Sequence, residues 1–186
     1  MTATISPLTT ADREAVTRLL DGVVGAGFWS FAAADEGLSF VARTGAETMG
    51  VILACIASED EAASARADPT GAAPDVPDGV VLHLRELAVA TGHRRAGAAT
   101  RLLRRVEREG RARGASLALV YAWLPAGRAE PESVPLYRAN GYSARRDIPG
   151  FYAASSEQSG AVCPYCGDPP CRCAARVFIK ELQAPA

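Results

Sequence analysis

Thirteen residues, Leu87-Ala88-Val89-Ala90-Thr91-Gly92-His93-Arg94-Arg95-Ala96-Gly97-Ala98-Ala99, form the stretch of this chain best suited to hold a charged ligand. An apolar strand runs into a turn of small residues, and the turn opens into an amphipathic helix. Small residues let backbone N–H groups come close to an anion, and the helix points its positive end at the same place. The turn Arg94-x-x-Gly97-x-Ala99 therefore reads as a pyrophosphate cradle. It is not a P-loop, because no Gly-Lys-Ser/Thr stands at the helix start. It is not a dinucleotide fingerprint either, because Gly97 is the one glycine between Arg94 and Ala99 where three would be needed at the turn.

A second concentration of chemistry lies near the C-terminus. Cys163, Cys166, Cys171 and Cys173 fall within eleven residues. Cys163-Pro164-Tyr165-Cys166-Gly167 has the form of a metal knuckle, in which the glycine lets amide N–H groups approach the sulfurs. The loop between the two cysteine pairs, Gly167 to Pro170, is much shorter than in two-knuckle zinc sites. Four thiolates so close together can still surround one structural zinc. Disulfides, disfavoured in a reducing compartment, and a redox-sensing thiol cluster are the other readings. A zinc with four protein ligands has no open position for catalysis, so it would act as a staple.

The elements that must position these residues can be read from periodicity. Thr2 to Ile5 reads as a short strand. A helix follows, capped by Thr10, with Ala15, Val16, Leu19, Leu20 and Val23 on one face. Leu38 to Arg43 and Met49 to Ala57 read as a hairpin around Thr44-Gly45-Ala46-Glu47. Ser58 to Gly79, rich in Ala, Asp, Glu and Pro, reads as a long surface loop with at most one helical turn. Val80 to Val89 is a buried strand, Ala98 to Arg113 a helix, and Ala115 to Leu124 another buried strand. The helix has Leu102, Leu103 and Val106 inward. Its outer face holds Arg101, Arg104, Arg105, Arg108 and Arg111, interleaved with Glu107 and Glu109. Ser133 can cap a short helix through Ala139; Tyr142 to Arg146 and Val177 to Leu182 read as the last strands.

This order, with its phosphate turn, resembles the GNAT N-acetyltransferase superfamily, whose acetyl-CoA loop carries an Arg/Gln-x-x-Gly-x-Gly/Ala signature. Ser133-x-x-Leu136-Tyr137-Arg138-Ala139-Asn140-Gly141-Tyr142 resembles the family's Ala-x-x-Leu-Tyr-x-x-x-Gly-Phe. Gly150-Phe151-Tyr152 and the strand Ala175-Arg176-Val177-Phe178-Ile179-Lys180-Glu181-Leu182 look like the C-terminal hairpin of ribosomal-protein N-terminal acetyltransferases. The departures are Ala99 for the last glycine, Ser133 for Ala, Phe178 for Met, and the inserted cysteine block at about 155–174.

The resemblance implies a single α/β domain over residues 1–186, with a mixed, mostly antiparallel sheet flanked by helices on both faces. It implies acetyl transfer from acetyl-CoA to an amine, either a protein N-terminus or a small amine, by direct attack in a ternary complex. The rival reading is a non-catalytic module that senses acyl-CoA or binds a partner through the cysteine loop. The strand backbone at Leu87 and Val89 would pair with the pantetheine arm, with Ala88 between them counted among the cofactor-binding residues. Arg94, Arg95 and the amides around Ala96, Gly97, Ala98, Ala99 and Thr100 would hold the pyrophosphate, with Arg101 near the 3′-phosphate. Tyr137 would protonate the departing sulfur. His83 and Glu86 compete for the role of base, and a water relay is the third option. Plain strand alternation puts His83, Arg85, Leu87 and Val89 on one face and Leu84, Glu86 and Ala88 on the other; a bulge would switch that phase.

Bulk composition agrees with a soluble globular protein. Hydrophobic residues make up 48% and charged residues 22%, as in ordinary globular domains. The net charge of −1 argues against a basic nucleic-acid surface. With neither a membrane-length apolar segment nor a signal peptide, a cytoplasmic protein that binds no membrane is expected, with a homodimer as one possible assembly.

Overall fold

The computed structural model describes residues 3–34, 36–66 and 79–182. The elements run β1 (Thr4–Pro7), α1 (Arg13–Val23), β2 (Phe40–Thr44), β3 (Glu47–Ile56), α2 (Glu59–Arg66), β4 (Val80–Val89), α3 (Ala98–Ala112), β5 (Ala115–Leu124), α4 (Val134–Ala139), β6 (Ser143–Ile148), α5 (Ala153–Ser159) and β7 (Ala174–Glu181). They build one seven-stranded sheet in the order β1-β2-β3-β4-β5-β7-β6. Of its six strand pairs, only β4 and β5 run parallel. The α/β class and the mostly antiparallel sheet are those expected.

Both faces of the sheet are covered. On one, Leu102, Leu103 and Val106 of α3 and Tyr137 of α4 pack with Phe40, Ile52, Leu82, Leu84 and Phe178. On the other, Val16 and Leu20 of α1 meet Val41, Val51, Leu53 and Ala88, while Ala62 of α2 meets Val81, Leu117, Leu119 and Ile179. Gly110 sets how closely α3 lies on β4, because a Cβ there would stand 2.8 Å from a Leu82 methyl.

Several boundaries differ from the sequence reading. β1 lies two residues later than Thr2 to Ile5. Thr9, not Thr10, opens the first helical stretch: its amide and hydroxyl both donate to Asp12, at 2.8 and 2.7 Å. Two full turns, α2, replace the single helical turn allowed after Ser58; residues 67–78 of that segment lie outside the described residues. α5 was not anticipated. β7 begins three residues before Val177 and pairs along its whole length with β5, which holds Ala174 to Arg176 extended.

The arginine-rich face of α3 is less uniform than its spacing suggests. Glu107 is not on the solvent side but 2% exposed. It accepts hydrogen bonds from Tyr142 Oη at 2.9 Å and Lys180 Nζ at 2.6 Å, with Arg111 at 3.6 Å. Arg105 lies over the Phe40 ring, 4.8 Å from its centroid, and pairs with Glu109.

A buried carboxylate that loses its partner costs far more than a surface pair, so Lys180→Met should destabilise the protein by about 3 kcal/mol. Urea unfolding would measure it, and adding Glu107→Gln to that variant should restore part of the loss.

Candidate active site

The site begins where two strands part. β4 pairs with β5 from Val80↔Ala115 to Leu84↔Val120, and no further. Beyond that point β4 continues only on β3, and β5 only on β7. The register of β4 against β3 slips there as well: Ala54 faces Leu84 but Leu53 faces Glu86, so Arg85 is a bulged residue. A bulge bends the strand, and the result is a gap between β4 and β5.

The hydrogen-bond phase says which backbone groups face that gap. Ala90 N donates to Met49 O at 2.9 Å, which makes Gly50↔Val89 a non-bonded pair of the antiparallel ladder. Val89, and Leu87 two residues earlier, thus turn N–H and C=O away from β3 and into the gap. Ala88 turns its own toward Val51. Leu87 and Val89, the residues expected to pair with pantetheine, turn their backbone to the gap, and Ala88 between them does not. Arg94 Nε already uses one such group, donating to Val89 O at 3.2 Å.

At the end of the gap the chain forms a concave turn. Arg95 (φ 64°) and Gly97 (φ 79°) are both left-handed on either side of Ala96, an arrangement that turns successive amides to one side. Arg94 to Gly97 are exposed. α3 starts at Ala98, so the amides of Ala98, Ala99 and Thr100 have no acceptor within the helix. Arg101, in the first turn, is half-buried. Open space lies where a Gly97 side chain would be; the glycine is needed for its φ. Asn140 Nδ2 reaches Leu136 O (2.8 Å) and Thr100 Oγ1 (3.4 Å), tying α4 to this corner.

The bulge also settles the faces. Leu82, Leu84, Leu87 and Val89 all pack on the α3 side. His83 therefore does not share a face with Leu87 and Val89, as plain alternation implies. It lies on the opposite face with Glu86 and Ala88. His83 is 6% exposed, its ring edge-on to Tyr121 at 5.2 Å, with Arg85 Nη1 3.5 Å from Nδ1. Burial pushes the Glu86 carboxyl up to about 8, with Arg85 opposing. Tyr137 is buried between Tyr142 and Phe178, ring centroids 5.5 and 5.3 Å away. Burial and the Glu86 carboxylate push its hydroxyl well above the ordinary tyrosine range. The Glu86 carboxyl and the Tyr137 hydroxyl are thus electrostatically coupled, each raised chiefly by burial.

A sequence profile of the acetyltransferase (GNAT) family matches residues 11–142. The chain belongs to the GNAT acetyltransferase family. It is an acetyltransferase that moves the acetyl group of acetyl-CoA to an amine acceptor. No curated protein sequence matches it. Among solved structures, the fold is similar to the ribosomal-protein-S18-alanine N-acetyltransferase of Escherichia coli, with 17% identity, TM-score 0.63, and coverage of 99% of this chain and 96% of that one. It is similar to Arabidopsis thaliana Naa50 in complex with a CoA–peptide bisubstrate analogue, at 13% identity, TM-score 0.63, and 97% and 99% coverage. It is equally similar to an agmatine N-acetyltransferase, at 17% identity, TM-score 0.63, and 98% and 100% coverage. The fold alone therefore does not separate peptide from small-amine acceptors.

Two features of this GNAT enzyme's structure exceed what the motifs revealed. The first is a run of aromatic rings on the His83 face. Tyr121 stacks on Phe151 at 4.8 Å, Phe151 meets Tyr152 at 5.0 Å, Tyr152 stacks on Trp123 at 4.7 Å, and Phe28 lies against Trp123 at 4.8 Å. The i, i+2 spacing of Tyr121 and Trp123 on β5 was the available signal.

The second is the geometry of the cysteines. The four sulfurs lie within 4.8 Å of one another, with Cys163–Cys173 at 3.7 Å, Cys166–Cys171 at 3.6 Å and Cys166–Cys173 at 3.9 Å. A zinc–sulfur bond of about 2.3 Å implies a tetrahedron edge of about 3.8 Å, so these separations fit one ion. A disulfide would need about 2.05 Å, and none of the five cysteines is in a disulfide. The Tyr165 amide donates to Cys163 Sγ (3.4 Å) and the Arg172 amide to Cys166 Sγ (3.3 Å). Burial raises Cys166, but the Arg172 amide and the neighbouring thiols outweigh it and lower the thiol to about 7.

The raised Glu86 carboxyl has a measurable cost. Its folded-state value lies above that of the unfolded chain, so it keeps a proton that the unfolded chain releases. Stability from this group is therefore lost as pH rises from about 5 through 8. Glu86→Gln should match the parent at pH 5 and exceed it at pH 9 by on the order of 3 kcal/mol, measured by urea unfolding at both pH values.

Proposed function

We propose that acetyl-CoA lies with its pantetheine arm in the gap between β4 and β5, bonded to the backbone of Leu87 and Val89. The single observation supporting this is the parting of the two strands beyond Leu84↔Val120, which leaves those groups unpaired with β5. The pyrophosphate then meets the amides of Ala96 to Thr100, with Arg94, Arg95 and Arg101 nearby. Arg94 exchanges its bond to Val89 O for the incoming ligand.

The acceptor approaches from the other face, where His83 and Glu86 lie. Its amine nitrogen attacks the thioester carbonyl carbon and passes a proton to the Glu86 carboxylate. The tetrahedral intermediate collapses, the carbon–sulfur bond breaks, and the Tyr137 hydroxyl protonates the departing thiolate. Glu86 is favoured as base because its titration lies near neutrality and because its charge acts on Tyr137. His83 is the second candidate. We take the acceptor to be a protein N-terminus, in keeping with the Phe151-Tyr152 hairpin, and Cys163, Cys166, Cys171 and Cys173 to hold one structural zinc.

Three measurements test this reading. Tyr137→Phe should lower kcat about 100-fold with the KM for acetyl-CoA nearly unchanged. In the parent, kcat should rise with pH around a midpoint near 8, and Glu86→Gln should lack that rise; a rise kept by Glu86→Gln and lost in His83→Ala would transfer the role of base to His83. Native mass spectrometry should find one zinc per chain in the parent and none in Cys166→Ser/Cys173→Ser.

A further inference from the structure

The cysteine cluster packs directly on the aromatic wall of the acceptor side. Cys163, Cys171 and Cys173 form one buried cluster with Phe28, Trp123, Tyr152 and Cys166. Tyr165, inside the knuckle, meets Trp123 edge-on at 5.8 Å and is itself 46% exposed. A backbone link runs in parallel. The Cys171 amide donates to Ser156 Oγ at 2.8 Å, Ser156 Oγ donates to Ala153 O at 2.8 Å, and Ser156 N donates to Tyr152 O at 3.0 Å. Ser156 is fully buried. Tyr152 Oη in turn donates to Tyr121 O at 3.4 Å, next to His83. The knuckle also meets the α1–β2 loop, where a Cβ on Gly25 would lie 3.5 Å from Pro164. A continuous path of contacts thus joins the four sulfurs to the strand positions where the chemistry is placed.

Trp123 supplies an independent observation. Its indole Nε1 is fully buried and has no hydrogen-bond partner among the described residues. Leaving a buried donor unpaired costs free energy that an acceptor supplied by a ligand would recover. By strand alternation the Trp123 ring lies on the Tyr121 and His83 face.

We infer that the metal-bound knuckle is a positioning element of the acceptor pocket: it holds Trp123 and Tyr152 as the wall for the first residue of a peptide acceptor, with Trp123 Nε1 donating to that residue's carbonyl oxygen. The wall is apolar, so it takes an apolar first side chain. A diamine lacks the carbonyl and leaves the indole unpaired. This inference rests on the zinc reading and on the peptide acceptor proposed above.

The test uses full-length enzyme carrying Trp29→Phe, which leaves Trp123 as the single tryptophan. Trp29 packs on Phe31, and its indole donates to Asp21, apart from the cysteine cluster. Zinc content is measured first, then the zinc is removed with pyridine-2,6-dicarboxylate. Acceptors are hexapeptides with free N-termini beginning with Met, Phe, Ser or Asp, and 1,4-diaminobutane. Removing zinc should red-shift Trp123 emission and raise the KM for the Met and Phe peptides about tenfold, while acetyl-CoA affinity is kept. In zinc-loaded enzyme, Trp123→Phe should raise the same KM about tenfold, the loss of one hydrogen bond, with little change in kcat. Tyr165→Ala, a surface change that spares every cysteine, should raise it about threefold. Unchanged Trp123 emission and unchanged peptide KM after zinc removal overturn the inference and leave the zinc site standing. A chain that neither contains nor takes up zinc overturns both. Loss of acetyl-CoA binding together with peptide binding overturns it in favour of a global folding role. Equal use of diamine and peptides by Trp123→Phe and parent overturns the assignment of the indole.

Discussion

The candidate active site depends on one interruption of a hydrogen-bond ladder. β4 and β5 are parallel neighbours up to Leu84↔Val120 and then separate, with Arg85 bulged at the point of departure. Had the ladder continued, the backbone groups of Leu87 and Val89 would be spent on β5. The same bulge rotates the strand by one residue, so that Leu87 and Val89 stay on the α3 side while Glu86 comes to lie with His83. A single inserted residue therefore opens the slot and selects which side chains stand on each face of the strand beside it.

Two buried glutamates illustrate how surroundings divide structural from chemical roles. Glu107 is held by Tyr142, Lys180 and Arg111, and it joins α3 to β7. Glu86 is opposed only by Arg85 against the cost of burial, and its carboxyl rises to about 8. A fully paired buried charge fixes architecture. An underpaired one holds its proton loosely near neutral pH, which suits proton transfer and detracts from stability.

The β6–β7 insertion follows the same economy on a smaller scale. α5 and the cysteine loop have little apolar surface of their own. They are ordered by Ser156, by the rings of Phe28, Trp123 and Tyr152, and by the close approach of four sulfurs. The segment is thereby packed against rings from the α1–β2 loop and β5, an arrangement a plain hairpin would not provide.

The sequence by itself determined most of the frame. Strand and helix periodicity placed β4 and β5 to the residue, because both are long apolar runs ended by turn residues. The Arg94-x-x-Gly97-x-Ala99 turn and the Tyr137 helix were legible because a tight concave turn and a ring packed on the sheet demand small and aromatic residues at fixed spacing. The cysteine cluster was legible because thiols within eleven residues can reach one another. Tertiary structure decided the rest. The bulge at Arg85 has no residue signature, since register arises from pairing with β3. Glu107 looked like one more charge on a solvated helix face until Lys180 and Tyr142, far along the chain, arrived beside it. The aromatic wall is assembled from Phe28, Tyr121, Trp123, Phe151 and Tyr152, and only the folded sheet brings these distant segments together. Local spacing encodes what neighbouring residues can do; proximity between distant segments, and the pKa values it creates, exists only once the chain has folded.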